Sequence, residues 1–122
     1  MSGRLTTHVL DLSNGQPASG MKVELYMLAG GSGLSIRLAE AVTNRDGRLD
    51  APLMSGQDMK QGMFELLFHV GAYYDGRQGR ESEATTPFLE QVPVRFKIEA
   101  AKEHYHIPLL IAPGGYSTYR GS

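Results

Sequence analysis

The sequence contains no cysteine, which excludes disulfide bonds and thiolate chemistry. It also lacks any apolar run approaching the ~20 residues that a helix needs to span a bilayer. Residues 1–11 hold one arginine and no apolar segment, so they do not resemble a secretory signal. The C-terminal Arg-Gly-Ser is not a peroxisomal address of the Ser-Lys-Leu type. We therefore expect a cytoplasmic protein with no membrane partner.

Neither sign of charge is in marked excess. The chain has 12 Lys and Arg residues against 13 Asp and Glu residues, a formal net charge of −1 at pH 7, and both signs are scattered along it. A domain that binds nucleic acid usually carries a basic patch or a basic excess. We therefore expect no nucleic acid partner.

Helical periodicity is nearly absent, and alternation of apolar and polar residues dominates instead. The alternation predicts strands over 5–11, 21–28, 34–43, 63–71, 91–99, 104–111 and 116–120, with a short strand around Leu49 and a helix or loop over 72–80. Short strands at this spacing are typical of an antiparallel β-sandwich of two sheets. The length fits one domain over 1–122.

The alternation also predicts which side of each strand faces the core. In 63–71 the inward set includes Phe64, Leu66 and Phe68, whereas in 21–28 Glu24 is predicted to point outward. Pro93 cannot donate a hydrogen bond to a neighbouring strand, so the strand over 91–99 is predicted to lie near a sheet edge.

The C-terminal strands carry an unusual polar face. His104 and His106 share one face with Pro108 and Leu110. His8 shares a strand face with Leu10, and Ser117 is predicted to share one with Tyr119. A face that mixes apolar side chains with histidines is a poor solvated surface. We expect it to be covered by a partner subunit or a ligand.

Two simpler interpretations of the histidines stay open. The His-x-His spacing of His104 and His106 would suit a metal, but no third ligand is specified nearby, so we expect none. His69 stands alone on its strand and is interpreted as a solvated or hydrogen-bonded residue.

Nucleophile elbows, phosphate loops and apolar carboxylate pairs are absent from the sequence. Catalysis would therefore depend on His, Arg, Tyr and Ser groups gathered on one sheet face.

Three blocks of sequence carry a family resemblance. HYHIPLL followed by YSTYRGS (within 104–122), THVLD (7–11) and TNRDGR (43–48) closely resemble the signature of 5-hydroxyisourate hydrolases, the transthyretin-related enzymes of urate breakdown. The resemblance implies a transthyretin-like antiparallel sandwich of two four-stranded sheets with one short helix. It also implies a homotetramer, a dimer of dimers that pairs along the strands over 91–99 and 116–120.

The resemblance implies the site residues as well. The catalytic residues are then His8, Arg48 and His106. The substrate-binding residues are His104, Ser117, Tyr119, Arg120, Gly121 and Ser122. The implied reaction is hydrolysis of a ring amide of 5-hydroxyisourate to 2-oxo-4-hydroxy-4-carboxy-5-ureidoimidazoline by His-assisted attack of water, without cofactor or metal. Whether His8 or His106 is the general base is left open.

A second function is compatible with the same fold. A transthyretin-like binding protein would hold a small aromatic ligand in the channel of the tetramer without chemistry. The presence of His8, Arg48, His106 and Tyr119 together favours the enzyme, because these groups supply a base, a cation and a hydrogen-bond donor.

Overall fold

The computed structural model describes residues 3–29, 34–78 and 87–121, and within these ranges the chain is mostly strand. The strands are β1 (Arg4–Asp11), β2 (Gln16–Pro17), β3 (Lys22–Leu28), β4 (Ser35–Val42), β5 (Met54–Ser55), β6 (Gly62–Phe68), β7 (Val92–Ile98), β8 (His104–Ala112) and β9 (Gly115–Thr118). A 3₁₀-helix covers Gly56–Asp58 and an α-helix, α1, covers Val70–Gln78. The choice between helix and loop after the fourth long strand is thus settled as a helix, which begins inside the predicted 63–71 strand.

Two sheets form the sandwich that the sequence predicts. The first has the order β2-β1-β8-β9, with β5 paired to the start of β1, and the second has the order β4-β3-β6-β7. One pairing is not antiparallel, because β1 and β8 run parallel along their full length. The four strands of the second sheet lie between β1 and β8 in the sequence, although β1 and β8 are neighbours in space. Side chains alternate in the same way in both kinds of pairing, so the pattern alone does not reveal the direction.

The predicted strand around Leu49 is wrong. Arg48 makes an isolated bridge to His8, and no strand begins at Leu49. The backbone of Asn44 instead donates to the carbonyl oxygen of Arg48 at 2.7 Å, so residues 44–48 close on themselves as a turn.

The core lies between the two sheets, as the alternation predicts. Phe64, Leu66 and Phe68 of β6 are fully buried, and so are Leu5 and Val9 of β1 on the facing sheet. Each such side chain contributes about 1.5–3 kcal/mol relative to an exposed one. The core therefore fixes which face of β1 and β8 points outward.

Asp11 is a buried carboxylate at the end of β1. The hydroxyls of Tyr73 and Tyr74 on α1 each donate to it at 2.8 Å, and the hydroxyl of Ser13 donates at 2.6 Å. Burial alone would raise the pKa of Asp11, but these hydrogen bonds together outweigh burial and lower it. The carboxylate thus joins the helix to the first sheet.

Glu24 lies on the outer side of the second sheet, as the alternation predicts. Its side chain is nevertheless buried there. His69 lies 2.6 Å from one of its oxygens, and Arg37 and Tyr26 donate to the other at 3.1 and 3.2 Å. The hydrogen bond with His69, followed by the contacts with Arg37 and Tyr26, lowers the pKa of Glu24 to about 2 against the effect of burial. His69 is therefore a hydrogen-bonded residue, as predicted.

Within the described ranges, β7 is an outermost strand of the second sheet and β9 is an outermost strand of the first. The position of Pro93 on an edge strand is thereby confirmed.

Of the helices in the described ranges, none has the length and apolar character required to cross a membrane.

Candidate active site

The parallel pairing of β1 with β8 determines which side chains are neighbours on the outer face of the first sheet. Thr6 lies opposite His106, His8 opposite Pro108, and Leu10 opposite Leu110. Alternate residues of each strand share a face, so this register builds one continuous outer row from the polar to the apolar end. The polar face that the sequence predicts is therefore present.

Pro108 differs from the rest of that face. It was predicted to be left for a partner to cover, but it is buried within the chain itself. A β-carbon at Gly121 would lie 3.3 Å from its ring, so the end of the chain covers it.

A tight turn presents Arg48 to this face. The side-chain oxygen of Asn44 accepts hydrogen bonds from the backbone N–H groups of Asp46 at 2.9 Å and Arg48 at 3.2 Å. Gly47 adopts a φ of +75°, and a β-carbon there would lie 2.3 Å from the carbonyl oxygen of Val9. Only glycine permits both the conformation and the close approach. The Asp-Gly sequence thus fixes the position of Arg48.

His8 contacts the same turn. Its Nε2 lies 2.9 Å from the carbonyl oxygen of Asp46. A carbonyl oxygen only accepts hydrogen bonds, so Nε2 of His8 carries the proton. In this arrangement His8 holds the turn and does not present Nε2 as a base.

His106 has a different environment. Its Nδ1 lies 2.8 Å from the hydroxyl oxygen of Thr6. Partial burial, followed by the nearby charges of Arg48 and His8, lowers the pKa of His106 below its ordinary value of 6.5. The imidazole of His106 is therefore mainly neutral at pH 7, which is the form that can accept a proton.

Arg48 and His106 line a common cavity. It has a volume of about 520 Å³ and also contacts His104. The lining residues that were not predicted from the sequence include the polar side chains of Arg4, Thr6 and Asp50. Of these, Thr6 was detectable, because it shares a strand face with His8 in the alternation. The volume suits a small polar molecule.

Other predicted residues lie elsewhere. Ser117 pairs with Leu110 towards the far end of the same face. Tyr119 and Arg120 line a second cavity, of about 450 Å³, together with Phe96. β9 ends at Thr118, so its alternation does not extend to Tyr119, and the predicted sharing of a face by Ser117 and Tyr119 is not maintained. These residues do not line the cavity that holds Arg48 and His106.

Arg120 holds the end of the chain. Its guanidinium lies 3.2 Å from a carboxylate oxygen of Glu103, donates to the carbonyl oxygen of His104 at 3.0 Å, and stacks 4.1 Å above the ring of Tyr105. Gly121 follows, and its N–H donates to the carbonyl oxygen of His106 at 2.7 Å. The predicted substrate-binding residue Ser122 lies outside the described residues.

A metal would need further ligands. Among the residues that the structure describes, no group of three His, Asp or Glu side chains is close enough to hold one. The pair of His104 and His106 therefore has no third ligand within this set.

The sequence matches the model of the HIUase/Transthyretin family over residues 5–121. The chain belongs to this family. It is 57% identical to the 5-hydroxyisourate hydrolase of Halalkalibacterium halodurans, and the match covers all of both chains. The resemblance read from the three sequence blocks is confirmed.

Solved structures of the HIUase/Transthyretin family have the same fold. The 5-hydroxyisourate hydrolase of Klebsiella pneumoniae is 38% identical with a TM-score of 0.78, and the match covers 98% of this chain and 99% of that one. Transthyretin from Sparus aurata is 27% identical with a TM-score of 0.83, covering 97% and 96%. Proteins named as hydrolases and proteins named as transthyretins therefore share this fold.

Proposed function

We propose that this protein hydrolyses 5-hydroxyisourate to 2-oxo-4-hydroxy-4-carboxy-5-ureidoimidazoline in urate catabolism. Water adds across a ring amide: its hydroxyl bonds to the carbonyl carbon, the carbon–nitrogen bond breaks, and the nitrogen takes the proton. One observation carries the proposal. Arg48 and His106 line a single cavity in a chain that is 57% identical to a hydrolase of that name.

His106 is the general base of the proposed reaction. Its lowered pKa keeps it neutral at pH 7, whereas Nε2 of His8 is occupied as a donor. His106 takes a proton from the attacking water and returns it to the leaving nitrogen. Such a positioned group contributes roughly 10²–10⁴ in rate.

Arg48 stabilises the charge that develops on the carbonyl oxygen. Its guanidinium is planar, permanently charged and able to donate two parallel hydrogen bonds. The turn that carries it is held by His8 and Asn44, so the cation is positioned before the substrate arrives. His8 acts in this scheme as a positioning residue. His104 borders the cavity and is proposed to contact the substrate.

The assembly in this proposal is a homotetramer, a dimer of dimers. The edge strands β7 and β9 have unpaired outer edges within the described chain. Leu12 and Tyr116 are 57% and 47% exposed near one end of the first sheet. Large apolar side chains exposed beside an open edge favour burial against further copies. Ser117 and Tyr119, which do not line the cavity of Arg48 and His106 in their own chain, are proposed to reach the substrate channel between subunits.

A transthyretin-like binding function has less support. Transthyretin from Sparus aurata is 27% identical to this chain, well below the 57% identity of the hydrolase of Halalkalibacterium halodurans. A cavity lined by Arg48, His106 and Asp50 also suits a polar heterocycle better than an apolar aromatic ligand.

A spectroscopic assay tests the proposal. Freshly made product of urate oxidase loses its near-ultraviolet absorbance spontaneously, and the wild-type protein should accelerate the loss. His106→Asn should slow turnover at least tenfold, because it removes the base. His69→Asn makes the same replacement just after β6, outside the cavity of Arg48 and His106, and should retain turnover. Decay at the spontaneous rate in the presence of folded wild-type protein would refute the proposed function.

A further inference from the structure

The imidazole of His106 is held on both edges next to its Cβ. On one edge, the hydroxyl oxygen of Thr6 lies 2.8 Å from Nδ1. On the other edge, the backbone of Gly121 packs so closely that a β-carbon there would lie 2.7 Å from Cδ2. Nδ1 and Cδ2 flank the attachment point of the ring, so Nε2 and Cε1 form its free end. That end belongs to a side chain lining the cavity of Arg48.

We propose that Thr6 is a positioning residue for the proposed hydrolysis: its hydroxyl oxygen accepts a hydrogen bond from Nδ1–H of His106 and leaves Nε2 unprotonated. The inference depends on the proposed function for its catalytic meaning. The arrangement itself can be measured without any turnover.

The chemistry of the hydroxyl favours this arrangement. Both ring nitrogens of an imidazolium carry protons, so Nδ1 must donate to Thr6 whenever His106 is charged. If Nδ1 keeps that proton in the neutral form, the contact with Thr6 is identical in both states. Proton exchange then occurs at Nε2 alone, and no hydrogen bond has to reorganise during the reaction.

The charged and titratable groups around His106 are otherwise of mixed sign. They are Arg4 and His8 on β1, His104 on β8, and Arg48 and Asp50 in the segment after β4. None of these groups makes the hydrogen bond to Nδ1, which is made by Thr6. The tautomer of His106 is therefore expected to respond to the Thr6 hydroxyl specifically.

The test is an NMR titration of ¹⁵N-labelled imidazoles combined with pH–rate profiles. In wild-type protein, neutral His106 should be the Nδ1–H tautomer. Thr6→Val should shift it towards Nε2–H. It should also lower the pKa of His106, because the charged ring makes the stronger hydrogen bond to the hydroxyl and therefore loses more than the neutral ring. The acidic limb of the kcat profile should move to lower pH while kcat falls about tenfold, less than the roughly 10²–10⁴ that a general base contributes. KM should change little.

Two further variants separate positioning from folding. Thr6→Ser keeps the hydroxyl. It should restore the Nδ1–H tautomer of neutral His106 and the wild-type position of the acidic limb of the kcat profile. Thr118→Val removes a hydroxyl that donates to the carbonyl oxygen of Pro108 at 2.7 Å on the same sheet. It should leave the limb and the tautomer unchanged, whatever its effect on stability.

Two results would overturn the inference. One is an Nε2–H tautomer of neutral His106 in wild-type protein, and the other is an unchanged tautomer in folded Thr6→Val. Both results come from spectra alone. Failure of the wild-type protein to hydrolyse the substrate would instead refute the proposed function, and the spectra would still decide the role of Thr6.

Discussion

The backbone N–H of Gly121 donates to the carbonyl oxygen of His106 at 2.7 Å, and the two residues are also in contact through the ring. A β-carbon at Gly121 would lie 2.7 Å from Cδ2 and 3.4 Å from Cγ of His106. Real Cβ atoms do not approach so closely, so any other residue at 121 would displace either the ring or the end of the chain. The backbone at Gly121 therefore packs against one edge of the imidazole of His106, the proposed general base.

Gly121→Ala should consequently reduce turnover. We expect kcat to fall by roughly tenfold to 10²-fold, because a shift of about 1 Å in a catalytic group has effects of that size. Gly114→Ala is the matched control, since a β-carbon at Gly114 meets no atom within 4 Å. Steady-state kinetics of the two variants, with circular dichroism to verify folding, makes the comparison. Equal kcat in both variants would show that the close contact has no catalytic role.

Arg120 should affect turnover indirectly, because its contacts hold the neighbouring Gly121 in place beside His106. Arg120→Ala removes three contacts of one guanidinium, with Glu103, His104 and Tyr105. We expect turnover to fall several-fold and Arg120→Lys to restore little, because a lysine cannot reproduce the planar fork. Melting temperature should change little, since exposed pairs contribute about 0–1 kcal/mol. Lys22→Ala, which breaks an exposed pair with Glu40 on the other sheet, should keep full turnover. Full recovery in Arg120→Lys would contradict this account.

Much of the fold was predictable from alternation alone. The predicted strand over 5–11 is β1 (Arg4–Asp11), and 91–99 is β7 (Val92–Ile98). The alternation of apolar and polar residues in a half-buried strand lies within the strand's own sequence. The position of the strand can therefore be predicted without knowing which strands pair with it. Glu24 shows the limit of that information. Alternation gives the side of the sheet, but burial on that side depends on Arg37 and His69, which come from other parts of the chain.

The site was predictable in part, for the same physical reason. His8, Arg48 and His106 were identified from motifs, but their spatial relations depend on how the strands pair. The contact of Thr6 with His106 joins positions 100 residues apart through a parallel register. Register is set by packing and turn geometry across the whole sheet, which no local pattern contains. The face that Ser117 and Tyr119 were predicted to share was wrong, because β9 ends at Thr118 and the alternation does not reveal where a strand ends.

The acidic limb of the kcat profile should have its midpoint below pH 6.5. A base is active when neutral, and the pKa of His106 is lowered from 6.5 by burial and by the charges of Arg48 and His8. Activity should therefore be lost only as the pH falls through that lowered value. In Arg48→Gln the pKa of His106 should rise, as measured by NMR titration, because one of the charges that lower it is removed. Arg45→Gln removes an equal charge from the same turn and should have a smaller effect. A pKa of His106 that falls in Arg48→Gln would contradict the electrostatic argument.

Glu24 should make the fold sensitive to acid. Its pKa is about 2 in the folded chain against an ordinary 4.5. Its contribution to stability is therefore fully present above pH 4.5 and is lost as the pH falls towards 2. Urea unfolding should show that Glu24→Gln lowers the free energy of unfolding most at neutral pH, with the two curves converging in acid. Glu65→Gln, whose partner Arg95 is exposed, should give a smaller difference. A deficit for Glu24→Gln that is constant with pH would show that charge is not the cause.

Assembly should depend on the apolar end of the first sheet. Leu110 lies between Leu10 and Ser117 on the outer face and is only half-buried by its own chain. Light scattering of the wild-type protein at micromolar concentration should give about four times 13.3 kDa. Leu110→Arg should reduce that mass, because it would place an unpaired charge in the proposed interface. Turnover should fall with the mass, since the proposed channel forms only between subunits.

Val42→Arg is the control for that experiment. Val42 is 58% exposed on the other sheet, so its replacement adds the same charge to an apolar surface position outside the proposed interface. It should leave both the mass and the turnover of the wild-type protein. A folded Leu110→Arg protein that kept the wild-type mass would exclude this face from the interface. A wild-type monomer with full activity would show that one chain alone completes the site.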